Sequence, residues 1–111
     1  MSTAGASLRV QFIKYETIGD HTEYFIQVSD QEQTWTVTCR YSKLAEVNSA
    51  LKTINTKLPD FPPKKMFGST NPQFISKRMS SLQHYVITLV NGGNKYKINP
   101  LMDLLMSGSK L

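Results

Sequence analysis

The first forty positions alternate between hydrophobic and polar residues with a period of two, which predicts β-strands. The apolar members form three stretches: Leu8, Val10 and Phe12, then Tyr24, Ile26 and Val28, then Trp35, Val37 and Cys39. After the first stretch, Ile13 and Tyr15 shift the pattern to the other face, which indicates a bulge or twist. Gly19-Asp20 and Ser29-Asp30 are typical turn residues between the stretches. We therefore predict a three-stranded antiparallel meander with one face on a core.

The apolar period changes after residue 40 and becomes helical. One stripe has spacings of 3, 4, 3 and 4 and consists of Leu44, Val47, Leu51, Ile54 and Leu58. Ser42 is the expected N-cap of this helix, and Pro59 is expected to end it. A second stripe has spacings of 4, 3, 4 and 3 and consists of Ile75, Met79, Leu82, Val86 and Leu89.

Asn71 and Pro72 predict the start of the second helix, as its cap and first residue. Asn91 to Asn94 contains two glycines and should end it, and Asn99-Pro100 should cap a short last helix. A proline-stiffened stretch, 58–63, connects the first helix to a basic loop, 64–70. The predicted fold is α+β: a three-stranded antiparallel meander sheet packed on a helical half of about three or four helices, with a proline-rich connecting segment.

Length and composition favour one domain with a single core. The chain has 111 residues, of which 40% are hydrophobic. We expect a domain over 8–106, a flexible N-terminus over 1–7 and a flexible tail over 107–111. No apolar run approaches the roughly 18 residues of a membrane span, and the N-terminus lacks a basic and apolar signal stretch. Cys39 is the single cysteine, so an internal disulfide is excluded and a reducing, intracellular compartment is expected.

The formal charge of +5 is unevenly distributed along the chain. Residues 1–39 carry two basic and five acidic residues, a charge of −3, whereas residues 40–111 carry eleven basic and three acidic residues, a charge of +8. Such an asymmetry predicts a positive surface that meets a polyanion: a membrane leaflet, a phosphate ligand or a nucleic acid. A solvated basic face without a partner is the alternative interpretation.

Residues that could support catalysis are sparse. The two histidines are His21, in a predicted turn, and His84, in the second predicted helix. A nucleophilic pair of Cys39 and His84 is conceivable, but the alternation around Cys39 favours a buried strand residue. The chain contains no nucleophile elbow, Walker loop, HExxH or CxxC motif. We expect no enzyme activity, no cofactor and no metal site.

Three basic residues stand in surroundings that suit a phosphate. Arg40 lies where the third predicted strand meets the first helix, Lys64 follows the proline segment, and Arg78 lies in the first turns of the second helix. An arginine beside a helix N-terminus can hold two phosphate oxygens while the helix amides add to the field. Tyr41 offers a flat face for a sugar-like ring. A lysine on a stiff segment adds a charge at a fixed distance.

These features resemble the phox-homology (PX) domain, the phosphoinositide-binding module of sorting nexins and related trafficking proteins. The resemblance covers about Leu8 to Met106. It rests on the strand-strand-strand-helix order, on Arg40-Tyr41-Ser42, on the segment from Leu58 to Lys65, and on Arg78 followed by Leu82. Two positions depart from the common family pattern: Cys39 stands where many members have a basic residue, and Leu44 where phenylalanine is common.

The resemblance implies a role for each of five residues. Arg40 would bind the 3-phosphate of the inositol head group, with Ser42 adding a hydroxyl contact, and Tyr41 would pack its ring under the inositol. Lys64 would meet the 1-phosphate that links the head group to the lipid. Arg78 would hydrogen-bond the 4- and 5-hydroxyls.

The three residues that follow Lys64 are expected to contact the membrane. The resemblance places Met66 and Phe67 in a membrane-insertion loop, and Lys65 would add nonspecific attraction to an anionic leaflet. The alternatives are structural: an ion pair of Arg40 with Glu46 or Asp60, core packing of Tyr41, a purely capping Ser42, solvated Lys64 and Lys65, a surface ion pair of Arg78, and Met66 and Phe67 packed on the helical half.

The resemblance implies reversible recruitment to endosomal membranes for trafficking and sorting, with phosphatidylinositol 3-phosphate as ligand. The protein would act as a monomer on the cytosolic face, without a nucleic-acid partner. Two rival interpretations remain: a domain for protein interaction, and a basic nucleic-acid-binding domain, each without a stereospecific lipid pocket. The eleven basic residues after position 39 and three tyrosines, Tyr41, Tyr85 and Tyr96, motivate the nucleic-acid alternative, but no RNA-binding or zinc-finger motif accompanies them.

Overall fold

The computed structural model of the chain describes residues 8–64 and 71–108. Three strands come first: β1 (Arg9–Ile18), β2 (His21–Ser29) and β3 (Thr34–Arg40). Three α-helices follow: α1 (Tyr41–Lys52), α2 (Pro72–Asn91) and α3 (Asn99–Leu105). Short 3₁₀ turns occur at Gly93–Lys95 and Met106–Gly108. The α+β prediction is confirmed.

The strands form one antiparallel sheet in the order β1-β2-β3, so each pairs with its neighbour in the sequence. The register between β1 and β2 shifts between Phe12 and Lys14, which confirms the predicted irregularity and leaves Ile13 45% exposed. Gly19 has a φ of +62° in the turn between these strands, a conformation that glycine adopts without a steric cost. Glu23 of β2 lies opposite Arg40 of β3, so the β1–β2 turn extends beside the end of β3.

The core lies between one face of the sheet and the helices. It contains the three alternating apolar stretches, including the buried Cys39, together with Leu44, Val47 and Leu51 of α1, Ile75, Leu82, Tyr85, Val86, Leu89 and Val90 of α2, and Leu101 and Leu105 of α3. Two hydrogen bonds join the halves. Gln83 Oε1 accepts from the Phe12 backbone N–H at 2.7 Å, and Trp35 Nε1 donates to the Leu105 carbonyl at 2.7 Å.

Helices α1 and α2 run side by side in the same direction. Tyr41 at the start of α1 contacts Arg78 near the start of α2, and seven residues later Asn48 accepts a hydrogen bond from the Tyr85 hydroxyl at 2.6 Å. After the C-terminal ends of both helices, the Asn55 side chain donates a hydrogen bond to the Lys97 carbonyl. Their N-terminal ends therefore share one end of the molecule. Within the described residues, no helix is both long and apolar enough to cross a bilayer.

The predicted end of α1 is wrong, because the helix stops at Lys52 and does not continue toward Pro59. The Leu51 carbonyl accepts from the Ile54 backbone N–H at 3.1 Å and from the Asn55 side chain at 2.9 Å. In a continuing helix it would accept from the backbone N–H of residue 55. Ile54 consequently lies outside the helix and is 42% exposed.

Of the three predicted helix caps, one is confirmed and two are wrong. Asn71 caps α2 as predicted, since its side chain accepts from Gln73 and Phe74, and Pro72 follows at the first helical position. Ser42 is not the cap of α1, because the N-cap is Arg40, whose side chain makes no capping hydrogen bond. Asn99 is already the first residue of α3, after Ile98, and no side chain caps that helix.

Candidate functional site

The end of β3 and the start of α1 bring Arg40, Tyr41 and Ser42 to the surface. Arg40 has an extended backbone (φ −93°, ψ 164°) and an exposed side chain, and the chain turns into the helix directly after it. Helix α1 has no side-chain cap and no acidic residue in its first turn. The partial positive charge of its N-terminal amides is therefore not neutralised locally and adds to the charge of Arg40.

Arg40 makes no ion pair with the other described residues, 8–64 and 71–108. Glu23 lies opposite it in the sheet, but the Glu23 carboxylate contacts His21 Nε2 at 3.0 Å. Glu46, one of the alternative partners considered for Arg40, lies 3.8 Å from Lys43. The guanidinium thus keeps its hydrogen-bonding capacity for a ligand.

The guanidinium of Arg78 is held over two aromatic rings. Its central carbon lies 3.8 Å from the ring centroid of Tyr41 and 4.5 Å from that of Phe74. One of its terminal nitrogens donates to the Pro63 carbonyl at 2.9 Å. Because a guanidinium has five N–H donors, this bond leaves others for a ligand. Arg78 is therefore positioned by α1, α2 and the proline segment together.

Tyr41 connects the site to the core through hydroxyl and ring contacts. Its hydroxyl donates to the Pro62 carbonyl at 2.6 Å, which fastens the proline segment to the start of α1. Its ring lies 5.3 Å from that of Phe61, which packs edge-on against Tyr85 at 5.0 Å. Burial raises the pKa of Tyr41, an effect partly offset by Arg78, and burial raises the pKa of Tyr85 to about 12.

These elements enclose a surface cavity of about 270 Å³. It is lined by Asp20, His21, Thr22, Tyr24, Arg40, Tyr41, Ser42, Lys64 and Arg78. The volume lies just below the usual range of about 300–1,000 Å³ for small-molecule sites, which suits a single compact head group. Burial raises the pKa of Tyr24 on its wall, so this hydroxyl stays neutral, although the charge of Arg78 opposes that shift.

All five described residues proposed for the head group, Arg40, Tyr41, Ser42, Lys64 and Arg78, line this one cavity. The other three proposed residues, Lys65, Met66 and Phe67, lie outside the described residues. Arg78 covers a face of the Tyr41 ring, where the resemblance places the inositol. An inositol stacked on that face would therefore require the guanidinium to swing aside.

One wall of the cavity, formed by the β1–β2 turn and the start of β2, was not predicted from the sequence. Asp20, His21 and Thr22 reach the cavity because Glu23 pairs with Arg40, which carries the preceding turn alongside the strand end. If Tyr24 is paired with Cys39 in an antiparallel register, residues 20–22 fall beside the end of β3. The alternation of apolar residues alone does not set that register, so this position could not be predicted.

Comparisons with known proteins agree on one family. A family model described as "PX domain" matches residues 27–100. The chain is 37% identical over 68 residues to the kinesin-like protein KIF16B of Homo sapiens, a match that spans 60% of this chain and 5% of the relative. It is 35% identical over 74 residues to the PX domain-containing protein kinase-like protein of Rattus norvegicus, spanning 64% of this chain and 13% of the relative.

A solved structure matches the fold as well. The X-ray structure of a designed CISK-PX domain aligns with a TM-score of 0.68 and 30% sequence identity, covering 74% of this chain and 83% of that chain. The curated relatives are much longer proteins, and the chain spans only a small part of their length.

Proposed function

Because the chain belongs to the PX-domain family of phosphoinositide-binding modules, we propose that it binds phosphatidylinositol 3-phosphate and is thereby recruited reversibly to the cytosolic face of endosomal membranes for trafficking and sorting. The module acts by binding a lipid and not by catalysis. The protein binds as a monomer, and its partner is the lipid and not a nucleic acid.

One observation carries the proposal: three cationic side chains from three different elements line the same small cavity. Arg40 ends β3, Lys64 follows the proline segment and Arg78 belongs to α2. These three positive charges outnumber the one carboxylate among the described lining residues, that of Asp20, so they repel each other and an anionic ligand relieves that repulsion. The uncapped N-terminus of α1 adds a partial positive charge at the same place.

Each residue has a distinct part in the proposed complex. Arg40 and Ser42 bind the 3-phosphate together with the first amides of α1, and Lys64 binds the 1-phosphate. Arg78 donates to the 4- and 5-hydroxyls, because its planar donors suit vicinal oxygens. Tyr41 positions Arg78 and the proline segment in addition to any contact with the sugar ring.

The cavity wall supports selectivity for a lipid with a single ring phosphate. Its three cations are all assigned to the 1-phosphate, the 3-phosphate and the ring hydroxyls. Among the described residues, the lining adds the carboxylate of Asp20 and no further lysine or arginine. A second ring phosphate would therefore gain no further cation from the described part of the lining.

Membrane contact completes the mechanism. Met66 and Phe67 insert into the interface and Lys65 is attracted to the anionic leaflet. Charge-assisted hydrogen bonds contribute about 1.5–3 kcal/mol each, and burial of one aromatic side chain about 1.5–3 kcal/mol. After the costs of ordering, a micromolar affinity of about −8 kcal/mol is expected, which permits reversible recruitment.

The test is co-sedimentation with liposomes that contain each phosphoinositide in turn, at physiological salt. The parent chain should pellet selectively with phosphatidylinositol 3-phosphate. Arg40→Ala should lower the affinity roughly 10- to 100-fold, because it removes the phosphate ligand.

Arg9→Ala is the matched control, since Arg9 is an exposed arginine on β1 that does not line the cavity. It removes the same charge and should bind almost like the parent. Far-ultraviolet circular dichroism should show that both variants fold. Equal pelleting of Arg40→Ala and the parent, or pelleting that follows total lipid charge, would contradict the proposal.

A further inference from the structure

A second concave surface, of about 510 Å³, lies at the other end of helices α1 and α2. We call it the lysine groove and define it by Ile54, Lys57, Leu58, Lys95, Tyr96 and Lys97. Helix α1 has 12 residues, and α2 continues for thirteen residues beyond Arg78 to Asn91. At 1.5 Å per residue these lengths put the groove about 20 Å from the head-group cavity.

The walls of the groove are fixed to each other by one side chain. Asn55 Nδ2 donates to the Lys97 carbonyl at 2.9 Å, and Asn55 Oδ1 accepts from the Lys97 backbone N–H at 2.8 Å. This paired arrangement fastens residues 94–97 to the chain that follows α1. The shape of the groove therefore exists before any ligand binds, which limits the entropy lost on binding.

Part of the groove surface is an apolar patch formed by Ile54, Leu58 and Tyr96. The ring of Tyr96 rests against Gly92, where an added Cβ would lie 2.6 Å from Tyr96 Cδ2, so only glycine allows the ring this position. Ile54 is 42% exposed and Leu58 is half-buried beside it. A large apolar side chain exposed next to an aromatic ring offers a contact for an apolar group of a ligand.

The rim of the groove is strongly positive. Lys57, Lys95 and Lys97 are exposed, and none of them forms an ion pair with another residue of the described ranges 8–64 and 71–108. The ten described residues that line the groove include no aspartate or glutamate. Lys95 Nζ also lies 5.5 Å from the ring centroid of Tyr96. Three cations without an acidic partner, next to an apolar patch, are complementary to a chain segment that combines carboxylates with an apolar side chain.

We propose that the lysine groove binds an acidic peptide segment of a partner protein, one that carries aspartate or glutamate residues around a leucine or phenylalanine. A nucleic acid fits less well, because the groove has one aromatic ring, already seated on Gly92, and no arginine for bidentate phosphate contacts. Since the groove is remote from the head-group cavity, the peptide and the lipid bind without competing.

The test is a nuclear magnetic resonance titration of the ¹⁵N-labelled chain with the peptide Asp-Glu-Glu-Leu-Asp-Glu-Phe-Glu-Asp-Glu. The largest shifts should fall on residues 54–58 and 92–97, with a dissociation constant of about 10–100 μM. Replacing the leucine and phenylalanine of the peptide by glycine should weaken binding several-fold. Arg40→Ala should leave the peptide affinity unchanged, so a failure of the lipid proposal and a failure of this one are distinguishable.

A matched pair of variants separates the groove from general charge. Lys95→Glu/Lys97→Glu should weaken peptide binding at least tenfold. Arg9→Glu/Lys14→Glu makes the same change in net charge on exposed residues of β1 and should weaken it less than threefold. Circular dichroism should show that both variants fold.

Several outcomes would overturn the proposal. They are the absence of localised shifts at millimolar peptide, shifts centred on Arg40 and Arg78, and equal weakening by the two double variants. Tighter binding of a twelve-residue oligothymidylate than of the peptide, abolished by Lys95→Glu/Lys97→Glu, would assign the groove to single-stranded nucleic acid. Self-association of the chain that the same variant abolishes would assign it to a second copy.

Discussion

At the scale of single residues, the site depends on how Arg78 is held. Stacking on Tyr41 and Phe74 and the hydrogen bond to the Pro63 carbonyl fix the guanidinium from three sides. A lysine at this position would lack the planar donors and the flat surface for stacking. The contribution of Tyr41 is then largely indirect, through Arg78 and through the Pro62 carbonyl.

Tyr41→Phe tests this indirect contribution. The variant keeps the ring under Arg78 but loses the 2.6 Å hydrogen bond to Pro62. We expect the free energy of unfolding to fall by about 1 kcal/mol, because a half-buried hydrogen bond is lost. The affinity for the soluble dibutanoyl lipid should fall a few-fold, since the segment before Lys64 is less firmly held.

Urea denaturation and isothermal titration calorimetry measure the two effects. Tyr15→Phe is the control, because Tyr15 is a half-buried tyrosine of β1 whose hydroxyl forms no hydrogen bond within the described residues. Equal behaviour of the two variants would show that the Tyr41 hydroxyl has no special role.

At the scale of elements, two fixed ends flank the proposed membrane loop. The proline segment is held by the hydrogen bonds that Pro62 and Pro63 accept, and α2 starts at a side-chain cap on Asn71. Lys64 lines the head-group cavity immediately before the loop. The two described ends of this segment, Lys64 and Asn71, are therefore each next to a fixed element, and Lys64 lies at the cavity.

Phe67→Ala separates bilayer insertion from head-group recognition. Liposome affinity should fall about tenfold, because an aromatic side chain no longer enters the interface. The affinity for the soluble dibutanoyl lipid should stay within twofold, because the cavity is unchanged. Ile13→Ala removes an exposed apolar side chain of β1 and should change neither value. Equal losses of Phe67→Ala in both assays would contradict the insertion role.

The sequence was sufficient for the elements whose periodicity is uninterrupted. The strands around Val10, Ile26 and Val37 follow from alternation, and α2 follows from its stripe and its Asn71 cap. The first helix was predicted too long, since Ile54 and Leu58 keep the helical spacing while the Asn55 side chain ends the helix. The spacing of apolar residues gives no information about a side-chain hydrogen bond, so it could not predict where the first helix ends.

The candidate site was partly predictable for a similar reason. Arg40, Lys64 and Arg78 each stand at a recognisable element boundary, so their roles could be proposed from local sequence. Whether His21 and Thr22 line the same cavity depends on strand register, and the stacking of Arg78 on Tyr41 depends on the side-by-side course of two helices. Neither relation is encoded within a short stretch of sequence.

At the scale of the whole molecule, the burial of ionisable groups makes the free energy of unfolding depend on pH in the alkaline range. Burial raises the pKa of Cys39 to about 12 from an ordinary 9.0, and the pKa of Tyr85 to about 12 from 10.0. Both groups are neutral when protonated, and the folded state retains those protons to a higher pH than the unfolded state. Their contribution to the free energy of unfolding is therefore complete below pH 9 and declines between pH 9 and 12.

Urea denaturation at pH 7.5, 9.5 and 10.5 measures this effect. The midpoint should fall from the first value to the last, and part of the fall should disappear in Cys39→Ala, which lacks the thiol. Between pH 7.5 and 8.5 these groups should cause no change. A midpoint that stays constant up to pH 10.5 would contradict the assignment of a buried, neutral thiol and phenol.

The order of the sheet has a consequence for how the protein is synthesised. All three strands come from the first forty residues and pair with their sequence neighbours, so the pairing within the sheet involves no residue that is synthesised after Arg40. The proposed lipid site needs Lys64 and Arg78 as well, and α2 fastens to β1 through Gln83. A nascent chain that contains only the sheet carries Arg40 without its companions. Translation thus delays the capacity to hold a membrane lipid until the domain is nearly complete.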